Sequence, residues 1–278
     1  MSSMQSLFLA AAALLLAACS SNPPPPRAPS ALPNVQVLSP PLAMPVLERQ
    51  RTLRIYLPSS YAQSTRRYPV IYMHDGQNLF DDATSYVGEW GVDEAMNELA
   101  RTTAFEAIVV GIDHGGEKRF NELNPWPHPR LGPGEGEQYL RFVVEVVKPF
   151  IDAQYRTQPE AKATAVIGSS MGGLISHAAM QRYPQVFGKA GIFSPAYWTA
   201  PAIFEEAAQK PLPAEARVYL YMGGREGGDM VPDVQRMHAL LRQQPVALEY
   251  RLVPEADHNE AAWRAEFARA VRWLYDVK

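Results

Sequence analysis

Seven short apolar runs, separated by helical patterns, constrain the fold of this chain more than any other feature. "TLRIYLP" (52–58) alternates, whereas "YPVIYMHDG" (68–76), "EAIVVGIDHG" (106–115), "ATAVIGSS" (163–170), "AGIFSP" (190–195), "ARVYLYMGG" (216–224) and "LEYRLVPE" (248–255) are nearly continuous. Between them lie "VDEAMNELA" (92–100), "EQYLRFVVEVVKPFIDAQY" (137–155), "GGLISHAAMQRY" (172–183) and "VPDVQRMHALLRQ" (231–243), and "NEAAWRAEFARAVRWLYDV" (259–277) follows the last run. Strands linked by helices pair in parallel, and the returning helices cover both faces of the sheet. The expected class is therefore α/β, with a mostly parallel central sheet and helices on both faces. Functional groups in such sheets gather in loops beyond the carboxyl ends of the strands.

With 278 residues, 47% of them hydrophobic, the chain can bury one large core. A net charge of −3 with no basic patch argues against nucleic acid as a partner. The single cysteine, Cys19, rules out an intramolecular disulfide. It ends an apolar run, "LFLAAAALLLAA" (7–18), that is too short to span a bilayer, which takes roughly 20 residues. An apolar segment with a small-residue cleavage site reads as a secretory signal. The Leu16-Ala17-Ala18-Cys19 junction resembles the lipobox of bacterial lipoproteins, in which the cysteine is acylated and becomes the mature N-terminus. Residues 1–6 depart from that pattern in carrying no Lys or Arg. Nine of the 25 prolines fall between Pro23 and Pro45, a composition that favours extended polyproline conformation over a packed core. The expected organisation is a signal peptide over 1–18, a lipidated Cys19 with a Pro-rich tether over 19–45, and a catalytic domain over 46–278. The protein would sit in the bacterial cell envelope, anchored by lipid and facing the periplasm or the surface. More than one acyl chain on the cysteine would make the anchorage stable.

Gly168-Ser169-Ser170-Met171-Gly172 fits G-x-S-x-G, the pattern of a nucleophile elbow. The serine of such an elbow stands on a strained strand-to-helix turn, where flanking side chains would collide with strand or helix. The match has the required context, because an apolar strand precedes it and a helical pattern follows. The helix start also brings free N–H groups and a dipole that favours negative charge. A serine hydroxyl needs a base, and elbow serines are followed in chain order by an acid and then a histidine. Of the six histidines only His258 lies after the last strand, in "VPEADHNEAAW". Glu226 and Asp229, in "GGREGGD" after the penultimate strand, compete for the acid; Glu226 stands nearer the strand end. The oxyanion donors expected are the backbone N–H of Met171 and that of Gln77, in "MHDGQNLFD" (73–81), where Gly76 allows close approach. His74-Asp75 could suggest a metal, but neighbours on extended chain point to opposite sides and no further ligands cluster there, so neither metal nor cofactor is expected. "NELNPWPHPRLGPGEGE" (121–137) is too rich in Pro and Gly for a helix and is expected to overhang the site. Trp126 and Trp198, both on loops, are candidates either for an acyl or aromatic pocket or for packing.

On these residues the chain resembles the esterase-D-like family of α/β-hydrolases, which includes feruloyl and acetyl-xylan esterases, siderophore trilactone esterases and mycolyltransferases. The resemblance covers about residues 50–276. "HDGQNLFD" (74–81), "EWGVDEAMNEL" (89–99), "VVGID" (109–113), "KPFIDAQYRT" (148–157), "GSSMGGLIS" (168–176), "YPQVFGKAGIFSPAYW" (183–198) and Asp257-His258 carry it. It implies an α/β-hydrolase fold, with the family nucleophile at Ser170 and its histidine at His258. "LYMGGRE" (220–226) resembles the strand-then-acid segment of feruloyl esterases and puts Glu226 where those have aspartate, a departure that bears on the acid. The activity implied is hydrolysis of a small-molecule or glycan-linked ester through an acyl-enzyme. The rivals are acyl transfer by the same triad and a non-catalytic binding protein on a hydrolase scaffold.

Overall fold

The computed structural model describes residues 27–278. Cys19 and the signal-like run lie outside the described residues. Among the described residues ten strands form: β1 (Val35–Val37), β2 (Leu42–Met44), β3 (Arg49–Arg51), β4 (Leu53–Tyr56), β5 (Val70–His74), β6 (Ile108–Ile112), β7 (Thr164–Ser169), β8 (Lys189–Phe193), β9 (Arg217–Gly223) and β10 (Ala247–Val253). Eight of them make one sheet in the order β1-β4-β6-β5-β7-β8-β9-β10. From β6 to β10 every pairing is parallel, whereas β1–β4 and β4–β6 are antiparallel. β2 and β3 form a separate antiparallel pair. The helices are α1 (Val92–Thr103), α2 (Arg119–Glu122), α3 (Gly136–Phe142), α4 (Lys148–Gln154), α5 (Met171–Arg182), α6 (Ala202–Gln209), α7 (Met230–Leu241) and α8 (Glu260–Leu274). A π-helical turn, Val143–Val147, runs α3 into α4.

The sheet separates two cores, and alternate residues of one strand serve each of them. Tyr72, Val110 and Val166 point into the core built with Leu140, Leu174, Ile175, Phe204 and Met237 of α3, α5, α6 and α7. Ile71, Met73, Val109 and Ile167 point into the other, built with Met96 and Leu99 of α1 and Phe267, Val271 and Leu274 of α8. Burial on both faces is why these strands read as continuous apolar runs. The fold is that of an α/β-hydrolase, as expected.

The boundary at residue 46 needs correction, because residues 27–45 do not behave as a tether. Val35–Val37 adds to the sheet edge, with Val35 opposite Tyr56 and Val37 opposite Arg54. Met44 is fully buried in the core that also holds Leu53, Tyr72 and Ile112. Proline tolerates edge strands and irregular chain, so its density did not exclude packing here. A chain beginning at residue 46 loses Met44 and β1, and is expected to be less stable by at least about 2 kcal/mol, the burial of one such side chain. A urea midpoint equal to that of the longer chain would contradict this.

Candidate active site

Ser170 follows the last residue of β7 and precedes α5, with φ 57° and ψ −119°. That left-handed backbone is costly for a residue with a Cβ, about 1–3 kcal/mol, and persists only where neighbours over-determine it. Here Ser170 N–H donates to the Phe193 carbonyl at 3.0 Å, and its carbonyl accepts from Leu174 and Ala196 N–H, each at 3.0 Å. The neighbouring glycines are explained by contact. A Cβ on Gly168 would stand 2.5 Å from the Gly172 carbonyl oxygen, and one on Gly173 would stand 2.7 Å from that of Phe193. Strand and helix approach too closely for side chains at either position. Met171 opens α5, so its N–H has no intrahelical acceptor.

His258 lies in the loop between β10 and α8, and its ring carries the pairing on which the site turns. His258 Nδ1 donates to Glu226 Oε2 at 2.6 Å, leaving Nε2 free for a second partner. Glu226 is buried three residues beyond the end of β9. Its other oxygen accepts from Gly223 N–H at 2.9 Å and from the Ser194 hydroxyl. Ser194 accepts in turn from Trp263 Nε1–H at 3.0 Å, and the Trp263 ring stands edge-on to His258, centroids 5.0 Å apart. Asp229 is exposed at the start of α7, and His258 makes no bond to it. Of the two carboxylates, Glu226 is the one the fold brings to the imidazole.

Ser170 and His258 line one cavity of about 500 Å³, together with Ser169, His74, Asp75, Trp90, Arg119, Phe120, Tyr86 and Trp263. Asp75, just past the end of β5, has φ 57° and takes two hydrogen bonds from Arg119, at 2.6 and 2.8 Å. Burial pushes the Asp75 carboxyl up, but the Arg119 guanidinium outweighs it and holds the group below the usual carboxylate range. His74 is buried, bonded through Nδ1 to the Tyr139 hydroxyl at 2.8 Å, and burial lowers its pKa to about 4. Burial also raises the Glu260 carboxyl at the cavity wall. Gly76 lets the chain press on β6, since a Cβ there would stand 2.8 Å from the Gly111 carbonyl carbon. Gln77 follows in a single 3₁₀ turn, where its side-chain oxygen accepts from His114 N–H at 3.0 Å.

Of the two alternatives left open for Trp126 and Trp198, pocket or packing, neither residue lines this cavity. Trp126 lies under the Arg182 guanidinium, 4.8 Å from the ring centroid, at the far end of α5 from Ser170. Twelve helical residues put that end about 18 Å away. Trp198 is 42% exposed and packs edge-on against His128. The cavity aromatics are instead Trp90, Trp263, Tyr86 and Phe120. The segment expected to overhang, residues 121–137, contributes nothing to the lining of this cavity; the wall there comes from Arg119 and Phe120, just before it. Of this second set only Trp263 carried a usable signal, an aromatic on the last helix one turn beyond His258.

His177, on α5, is buried against the Tyr197 hydroxyl at 2.8 Å, and desolvation lowers its pKa from 6.5 to about 4. The unfolded chain then binds a proton near pH 6.5 that the folded chain refuses until about pH 4. Stability due to this group is therefore lost as pH falls through that window, by on the order of 3 kcal/mol. Urea titrations at pH 7 and pH 4 should show His177→Gln losing less stability than the parent by that amount. Equal losses in the two chains would contradict the assignment.

"Uncharacterized protein YbbA" of Bacillus subtilis (strain 168) is 28% identical over 241 residues, which is 81% of this chain and 92% of that protein. The crystal structure of BES protein from Bacillus cereus superposes with TM-score 0.74 at 19% identity, covering 87% of this chain and 95% of that one. The enterobactin esterase FES from Shigella flexneri, solved in the presence of enterobactin, gives TM-score 0.73 at 21% identity, covering 90% of this chain and 61% of that one. Residues 45–274 match the family described as "Putative esterase", and the chain belongs to that family.

Proposed function

We propose that this chain hydrolyses carboxylic esters through an acyl-enzyme on Ser170. The observation that carries the reading is the 2.6 Å bond from His258 Nδ1 to a buried Glu226, in the same cavity as a serine held at φ 57°. Ser170 Oγ attacks the ester carbonyl carbon while its proton passes to His258 Nε2. The tetrahedral oxyanion is met by the N–H groups of Met171 and Gln77. The carbon–oxygen bond to the alcohol then breaks, and the departing oxygen takes the proton from His258. Water attacks the acyl-serine with His258 again as base, releasing the carboxylic acid and free Ser170. Glu226 fixes the imidazole tautomer and stabilises the imidazolium; Ser194 and Gly223 hold that carboxylate in place. No step in this scheme needs a metal or cofactor.

The aromatic wall of Trp90, Trp263, Tyr86 and Phe120 suits an uncharged, flat acyl or alcohol group. The Shigella relative named as an enterobactin esterase makes an aromatic siderophore ester a reasonable member of that class. The N-terminal pattern adds an acylated Cys19 holding the enzyme to an envelope membrane. Initial rates of the whole mature chain on p-nitrophenyl esters, methyl ferulate, acetylated xylan and a siderophore trilactone test the activity. Turnover of at least one ester, with acid and alcohol released in equal amounts, is expected. Absence of turnover on all four, or an acyl group passed to an added alcohol in preference to water, would overturn hydrolysis.

A further inference from the structure

Among the described residues seven large apolar side chains are markedly exposed, and three of them stand round one opening. Tyr86 is 82% exposed, Val87 57% and Phe120 41%, and all three line the cavity that holds Ser170 and His258. Single exposed apolar residues are ordinary, but a group at the mouth of a site marks a surface that meets something apolar.

The same rim is tied to the N-terminal end of the described chain. The Arg27 guanidinium donates to the Ser85 and Tyr86 carbonyls at 3.1 and 3.2 Å and to the Ser85 hydroxyl at 2.9 Å. Ser30 N–H donates to Asp81 Oδ1 at 3.1 Å. The Ser30 hydroxyl donates to Glu89 Oε1 at 2.9 Å and accepts from Asp82 N–H at 2.7 Å. Residues 27–30 therefore strap the loop that carries Tyr86 and Val87. Cys19 precedes Arg27 by eight residues. Eight residues reach at most about 29 Å, and a body of about 250 residues is roughly 45 Å across. An anchor at Cys19 would therefore hold the domain on a leash shorter than its own width, fastened at the rim of the cavity.

We propose that Tyr86, Val87 and Phe120 dock on the lipid bilayer that holds Cys19, so that the Ser170 cavity opens toward the membrane. Esters carried in or at that membrane are then the substrates placed to enter. This rests on the reading of Cys19 as acylated and of the chain as an esterase.

The test uses the whole acylated chain in vesicles of phosphatidylethanolamine and phosphatidylglycerol. Cys19 is the chain's one cysteine, and its sulfur is occupied once lipidated, so Val87→Cys offers a single thiol for a polarity-sensitive fluorophore. Ala214→Cys is the control, exposed just before β9 and so at the end of the sheet opposite Ser170. The protein should float with the vesicles, and brominated lipids should quench the label at position 87 at least twofold while leaving that at 214 unchanged. Flotation with equal quenching at both positions, or with none at either, overturns the docking. Failure to float overturns the anchor and the docking with it. Hydrolysis of a water-soluble p-nitrophenyl ester by the unlabelled parent chain in the same vesicles reports the esterase reading separately.

Discussion

Ser170→Ala is expected to keep the fold and lower kcat on any ester turned over by about 10⁶-fold, the scale seen when a nucleophile of this kind is lost. The fold should survive because the backbone of residue 170 is held by Phe193, Leu174 and Ala196 rather than by its hydroxyl. In the proposed mechanism the substitution removes the atom that forms the acyl-enzyme, while the proposed oxyanion donors remain and would supply residual catalysis. Ser169 is the control, since it is buried at the end of β7 and paired with Phe193. Steady-state kinetics on Ser169→Ala should show a far smaller loss. The reverse ranking would mean that the chemistry belongs to the other serine.

Glu226→Gln is expected to lower kcat by about 10²–10⁴-fold, the upper end being the loss recorded when a triad acid becomes an amide. The amide keeps the volume but can present its N–H₂ to His258 Nδ1, which selects the wrong imidazole tautomer and gives no charge to stabilise the imidazolium. It also faces the Ser194 hydroxyl and Gly223 N–H, both donors, so one orientation leaves donors opposed. Asp229→Asn should cost less than tenfold, because that side chain is exposed at the start of α7. Near-parental rates in Glu226→Gln would reduce the machinery to Ser170 and His258.

The elbow was legible in sequence because three local requirements coincide there: an apolar strand, small residues at fixed offsets and a helix. His258 was legible from chain order, and the same order narrowed the acid to Glu226 or Asp229, since parallel strands deliver their loops to one end of the sheet. The residues that were not legible are those whose partners are distant in sequence. Ser194 meets Trp263 across 69 positions, and Asp75 meets Arg119 across 44, and no local pattern records such a pairing. Trp126 and Trp198 stayed open between pocket and packing in the sequence, because loop composition signals exposure but not direction. The Pro-rich N-terminal segment misled for a related reason: β1 is three residues long, too short for a period to show.

The most direct measurement is covalent. A fluorophosphonate reacts only with a serine that is activated and faces an oxyanion site, and mass spectrometry of the digested adduct reads which one. A single modification on Ser170, lost in Ser170→Ala and slowed in Glu226→Gln, is the expected result. Modification of Ser169 or of a serine outside the elbow, or none at all in a folded chain, would contradict the account.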